Sequence, residues 1–223
     1  MKKMGIDFTF VSPDCTEEEL QAAFRPNTKL VFGETVANPA IKVLDIEKFA
    51  KVAHRNGVPL IIDNTFATPV NCRPFEWGAD IVTHSTTKYM DGHGATVGGA
   101  IIDSGKFDWT KHADKFPGLC TPDESYHGVT YTERFGIGGA FITKATAQLM
   151  RDFGCVQSRM THSCSTSGLR ACMCVCSATA KRLSRSPASS RATNTSRGSN
   201  TPIYQAARTM SLQRNICRTA AAA

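Results

Sequence analysis

The 223-residue chain predicts an α/β fold: a three-layer domain over residues 1–158, built on a mostly parallel sheet, followed by a low-complexity basic tail over residues 159–223. Three observations carry that reading. Short apolar runs alternate with amphipathic ones, the pattern of parallel strands joined by crossover helices. Several apolar runs deliver a polar residue at their ends, Glu34, Asp63 and Ser85, as strands do where they emerge on a ligand-bearing rim. Charge is segregated. Through Ser158 there are 19 acidic and 16 basic residues; beyond it there are ten basic and no acidic ones, so the tail accounts for the net charge of +7.

Each element has its own signal. Residues 5–11 alternate polar and apolar side chains and read as a short strand. Thr16 with Glu19 makes a capping box ahead of a helix over 17–24, which Pro26 and Asn27 end. Residues 29–32 form a buried strand leading to Glu34, with a turn at Asn38-Pro39. A helix over 45–56 places Ile46, Phe49, Ala50 and Ala53 on one face and stops at Gly57. Strands over 58–62, 79–83 and 98–103 follow. Residues 106–134 are an irregular insertion rich in Pro, Gly and aromatics, of the kind more often functional than not. A helix over 137–151 closes the domain.

Composition narrows the function. From Arg159 onward there is no Phe, Trp, Asp or Glu, so the basic tail lacks the aromatic platforms of a single-strand binder and any charged helical face. Nucleic acid and membrane are therefore not expected partners, and low hydrophobicity with high charge predicts a disordered segment. Cys172, Cys174 and Cys176 alternate with single residues, not at zinc-knuckle spacing, and only His162 accompanies them in the tail, so no metal is expected. No leader peptide or membrane span is read from the chain, and cytoplasmic residence is the default.

Chemistry concentrates in two places. The apolar run Leu60-Ile61-Ile62 ends in Asp63, and 25 residues later Lys88 sits in the polar, glycine-flanked run His84-Ser85-Thr86-Thr87-Lys88-Tyr89-Met90-Asp91-Gly92-His93-Gly94. One cofactor needs both groups. Pyridoxal 5'-phosphate requires an amine for its aldehyde and a carboxylate to keep its ring nitrogen protonated. Ser85 and Thr87 supply hydroxyls suited to phosphate oxygens, and nearby glycines let the backbone approach a ligand. Plainer readings stand beside these: a solvated surface charge for Lys88, a backbone cap for Asp63, a simple turn for Asn38, and packed or solvent-facing rings for His84 and His93.

The runs Glu34-Thr35-Val36-Ala37-Asn38-Pro39, Ile61-Ile62-Asp63-Asn64-Thr65-Phe66-Ala67-Thr68-Pro69 and His84-Ser85-Thr86-Thr87-Lys88-Tyr89 resemble, in order and spacing, the Cys/Met-metabolism (transsulfuration) family of pyridoxal-phosphate enzymes. Within it, the insertion around Pro122-Asp123-Glu124-Ser125-Tyr126-His127-Gly128 is similar to that of O-acetylhomoserine sulfhydrylases. The resemblance implies the fold-type I transferase large domain, here incomplete. It implies Lys88 as the catalytic, cofactor-bearing lysine, Asp63 as the ring-nitrogen partner, Ser85 and Thr87 as phosphate ligands, and Asn38 against the ring. The implied reaction replaces the acetate of O-acetyl-L-homoserine with sulfide or a thiol, giving homocysteine or methionine. Methionine γ-lyase or cystathionine γ-synthase chemistry, or a non-catalytic product of a decayed gene, are the alternatives. A homotetramer is implied for the full-length form.

The likeness runs from Lys2 to Ser158, and the chain reads as a fragment. Family members carry further cofactor-cage residues ahead of this point. For residues 159–181, codons exist whose preceding frame reads HDAFLLNLGLESLHVRMQRHCE, similar to the family's continuation, so a frameshifted tail is expected. The substrate-carboxylate arginine of the C-terminal domain would then be missing, and weak or no sulfhydrylase activity is the expectation for this polypeptide.

Overall fold

The computed structural model describes residues 2–192. Four strands, β1 (Val31–Glu34), β2 (Leu60–Asp63), β3 (Ile81–Ser85) and β4 (Gly99–Asp103), form one sheet in that order. β1, β2 and β3 run parallel, and β4 returns antiparallel along β3. The helices are α1 (Glu17–Ala22), α2 (Ile46–Arg55), α3 (Thr68–Asn71), α4 (Pro117–Cys120), α5 (Tyr131–Lys144), α6 (Arg151–Phe153) and α7 (Arg159–Ala192). The sequence-predicted α/β class and mostly parallel sheet are what the structure contains.

Local chemistry accounts for the elements that position the rim. The Thr16 hydroxyl accepts the Glu19 N–H and the Glu19 carboxylate accepts the Thr16 N–H, the reciprocal box that starts α1. Asp45 caps α2 by accepting the Lys48 N–H, and Ile46, Phe49, Ala50, Val52 and Ala53 are buried along one face. That face packs with Leu20, Leu44, Val58, Leu60, Ile62 and Val82 into one core on one side of the sheet. The 106–134 insertion supplies a second core. Phe107, Trp109, Leu119 and Tyr131 pack with Ile81 and Ala140, and the Trp109 and Phe107 rings meet edge to face at 4.8 Å. What reads from sequence as a functional loop is here a packing unit.

Two other segments differ from expectation. Residues 5–11 form no strand, and Phe10 is 93% exposed. Alternation makes a segment strand-capable, but pairing needs a neighbouring strand, and among the described residues none pairs with it. Where a disordered tail is expected over 159–223, residues 159–192 form the single helix α7, and 193–223 lie outside the described residues. Low apolar content argues against an independent core, not against i to i−4 hydrogen bonding, and the Ala, Arg, Leu and Met of this stretch favour a helix.

Asp80, 4% exposed, ties α2 to β2 and β3. One carboxylate oxygen accepts the Leu60 N–H at 2.8 Å and faces His54 Nε2 at 2.8 Å. That hydrogen bond to Asp80 raises the His54 pKa above its ordinary value. A raised imidazole stabilises the fold fully below the unfolded value and loses that contribution as pH rises through the folded one. Denaturant unfolding is therefore expected to show lower stability at pH 8.5 than at pH 6, with a smaller difference in His54→Gln. An unchanged pH difference in the variant would remove this pair from the account.

Candidate cofactor site on the carboxyl rim of the sheet

Because β1, β2 and β3 are parallel, their carboxyl ends share one rim, which carries Glu34, Asp63 and Ser85. Glu34 pairs with Asp63, and Asp63 with Thr83. Asn38 lies beyond Glu34 on this rim, exposed, donating its N–H to Glu34 Oε2 at 2.8 Å; the Asn38-Pro39 peptide is cis. Lys88 follows β3 in a tight turn, its N–H directed to the Ser85 carbonyl at 3.4 Å, with an exposed side chain. Together with Tyr89, Gly92, Gly94 and Val175 it lines a cleft of about 380 Å³.

Thr65 joins the two halves of this rim. Its N–H donates to Asp63 Oδ1 at 2.8 Å, and its hydroxyl accepts the Ser85 N–H at 2.7 Å. The segment is anchored from below by buried Asn64, which accepts from the Thr35 hydroxyl at 2.7 Å and donates to the Cys72 carbonyl at 2.9 Å. Phe66 meets Tyr89 edge to face at 6.2 Å, a second link between the loops that bear Asp63 and Lys88.

Asp91 organises the lysine loop. It is buried, accepts the Ala95 N–H at 2.7 Å and bonds the Thr96 hydroxyl, and these donors lower its pKa. Sequence reasoning passed over both Thr65 and Asp91. Their signals were available: a hydroxyl two residues after a strand-end acid, and an Asp leading a Gly-His-Gly turn.

The histidines differ. His84 is buried, and desolvation lowers its pKa against the opposing pull of the Asp63 charge and the Asn64 backbone. Its Nδ1 is buried with no partner among the described residues. His93 is exposed, with Nδ1 3.3 Å from the Asp91 carbonyl.

The donor set fits pyridoxal phosphate: an accessible amine, a carboxylate held by a backbone N–H, and the Ser85 and Thr87 hydroxyls, all on neighbouring strand ends. Two details depart from expectation. The Thr87 hydroxyl donates to the Gly98 carbonyl at 3.2 Å and accepts its N–H at 3.1 Å, so it is engaged with β4's approach. Gly92 and Gly98 admit protein, not open space: a Cβ at Gly98 would collide with Gln157 Nε2, and one at Gly92 would lie 2.6 Å from the Gly168 carbonyl.

Residues 1–173 match the model of the Cys/Met metabolism PLP-dependent enzyme family. The chain belongs to this family. An O-acetyl-L-homoserine sulfhydrylase of Corynebacterium glutamicum is 51% identical over 158 residues, 69% of this chain and 36% of its own length. A homocysteine/cysteine synthase of Saccharomyces cerevisiae is 46% identical over 154 residues, 69% of this chain and 34% of its own. Among solved structures, a Campylobacter jejuni protein described as an O-acetylhomoserine (thiol)-lyase, bearing a pyridoxyl-lysine phosphate group, superposes with a TM-score of 0.65. It is 33% identical, with 70% of this chain and 38% of that one covered. The chain spans about a third of the length of the curated relatives it matches. The family is one of pyridoxal-phosphate enzymes, in agreement with the resemblance carried by the three runs. Among the described residues no helix is long and apolar enough to cross a membrane.

Proposed function

We propose that the chain carries the Lys88 and Asp63 half of a pyridoxal-phosphate site for γ-replacement on O-acetyl-L-homoserine by sulfide or a thiol. The observation that supports this most is the Thr65 bridge, which couples the Asp63 carboxylate to the strand end leading into Lys88. When bound, the cofactor supplies an electron sink that acidifies the substrate Cα hydrogen. Lys88 Nζ would hold the cofactor and, once the substrate amine has displaced it and left it free, would carry the proton taken from Cα. The Asp63 carboxylate keeps a proton on the ring nitrogen, Ser85 and Thr87 bind the phosphate, and Asn38 lies against the ring. Acetate leaves from Cγ and sulfide or a thiol takes its place, yielding homocysteine or methionine. The full-length form acts as a cytoplasmic homotetramer on small-molecule substrates.

Residues 159–223 are read as a displaced-frame translation, and this polypeptide is read as capturing cofactor with little turnover. A transcript that is in frame across the codons for Ser158 to Met160, without a compensating slip, would end the first reading. The second is tested by incubation with pyridoxal phosphate, borohydride reduction and peptide mass analysis, alongside an assay with O-acetyl-L-homoserine and sulfide. The expected result is a pyridoxyl group on Lys88 with homocysteine at background. No modification at Lys88 would overturn the site assignment; ordinary turnover would overturn the inactivity.

A further inference from the structure

Helix α7 is in contact with both loops of the rim. Among its described residues the buried ones, Ser165, Gly168, Cys172 and Cys176, are spaced by three, four and four, one face of a helix. Gly168 lies directly on the lysine loop: a Cβ there would collide with the Asp91 carbonyl oxygen. From the other side, Gly92 adopts φ 73°, and its missing Cβ faces the Gly168 carbonyl at 2.6 Å. Two backbones thus meet with no side chain between them, a contact that only a glycine pair allows. Two turns further along, Cys176 Sγ lies 3.5 Å from the hydroxyl of Thr68, which opens α3 in the loop that follows Asp63. Between these anchors Val175 reaches the cleft beside Lys88.

We propose that α7 is a working wall of the cofactor cleft: docked through Gly168, it clamps the loops after β2 and β3 together and presents Val175 to Lys88, so that pyridoxal phosphate binds more tightly while the helix is docked. The inference rests on the assignment of Lys88 above. A cleft whose floor is the polar lysine loop needs an apolar side to exclude water from the ligand, and Val175 supplies it. The helix also carries its own reporter. Cys172 and Cys176 are 2% and 3% exposed with their sulfurs 3.7 Å apart, and burial pushes the Cys172 thiol up to about 11. Cys164 and Cys174 on the same helix are exposed. A docked α7 therefore has two slow thiols and two fast ones.

The test is Gly168→Ala, which favours the helix itself while blocking its seat. Leu169→Ala, on the exposed face, is the control. Three quantities are read by mass spectrometry and titration on the full chain: alkylation of each cysteine, acylation of Lys88 by a small amine-reactive acyl donor, and the pyridoxal phosphate dissociation constant. In the parent and in Leu169→Ala, Cys172 and Cys176 react far more slowly than Cys164 and Cys174. In Gly168→Ala their reaction rises about tenfold or more, Lys88, already exposed, is acylated only modestly faster, and cofactor affinity falls about tenfold. Parent thiols that all react alike would show that α7 is not docked. Thiols that open with unchanged Lys88 acylation would remove the helix from the cleft whether or not cofactor binds. Cofactor that binds equally or more tightly in Gly168→Ala would overturn the wall. Absence of cofactor from Lys88 in every protein would instead strike the site assignment, with the thiol and acylation rates still judging the helix.

Discussion

Lys88→Ala is expected to reduce covalent capture of pyridoxal phosphate from near one group per chain to background. The side chain is exposed and its loop is held by other residues, with the Asp91 carboxylate bonding Ala95 and Thr96 and the Thr87 hydroxyl pairing with Gly98. Truncation should therefore cost within about 0.5 kcal/mol of stability, the usual range for surface substitutions. Loss of the adduct would then report chemistry and not unfolding. Lys88→Arg keeps the charge but offers no nucleophilic amine, and it should fail in the same way. The measurement is reduction with borohydride followed by mass analysis of the peptide containing position 88, with melting curves run in parallel. Capture at the parent level by the alanine variant, on some other lysine, would move the site elsewhere.

The second large effect is at Asp63. A hydrogen bond between charged groups contributes about 1.5–3 kcal/mol, so replacing the carboxylate should weaken cofactor binding roughly 10- to 150-fold. Asp63→Asn is the informative change, because its amide oxygen can still accept the Thr65 N–H that Asp63 now accepts at 2.8 Å. Folding should hardly change while affinity falls. Buried His84 offers an independent readout. The Asp63 charge raises its pKa against a larger lowering by burial, so neutralising position 63 should move the His84 titration lower still. An affinity within twofold of the parent, by absorbance titration, would show that Asp63 is only a backbone cap.

Much of the rim was readable along the chain because its signals are local. The Thr16 and Glu19 box, the apolar face of α2 and the strand ending at Asp63 depend on residues within a few positions of one another. Residues 5–11 misled for the same reason: alternation is visible in a short window, while the neighbour a strand needs is not. The insertion misled by composition. Its Pro, Gly and aromatic residues suit a functional loop, yet Phe107, Trp109 and Tyr131 serve a core against β3 and α5. Thr65 escaped notice because its importance lies in bonding Ser85 twenty residues away.

By itself the sequence determined which reactive groups exist, an amine at 88, a carboxylate at 63 and hydroxyls at 85 and 87, and that each follows a strand, because residue type and hydrogen-bonding period are local properties. The tertiary structure decided that β2 and β3 are adjacent and parallel, so that these groups share one rim, and that Gly168 seats α7 on Gly92 beside it. Strand order and helix docking arise from contacts between residues far apart in the chain, where shape and backbone approach, not spacing, set the free energy.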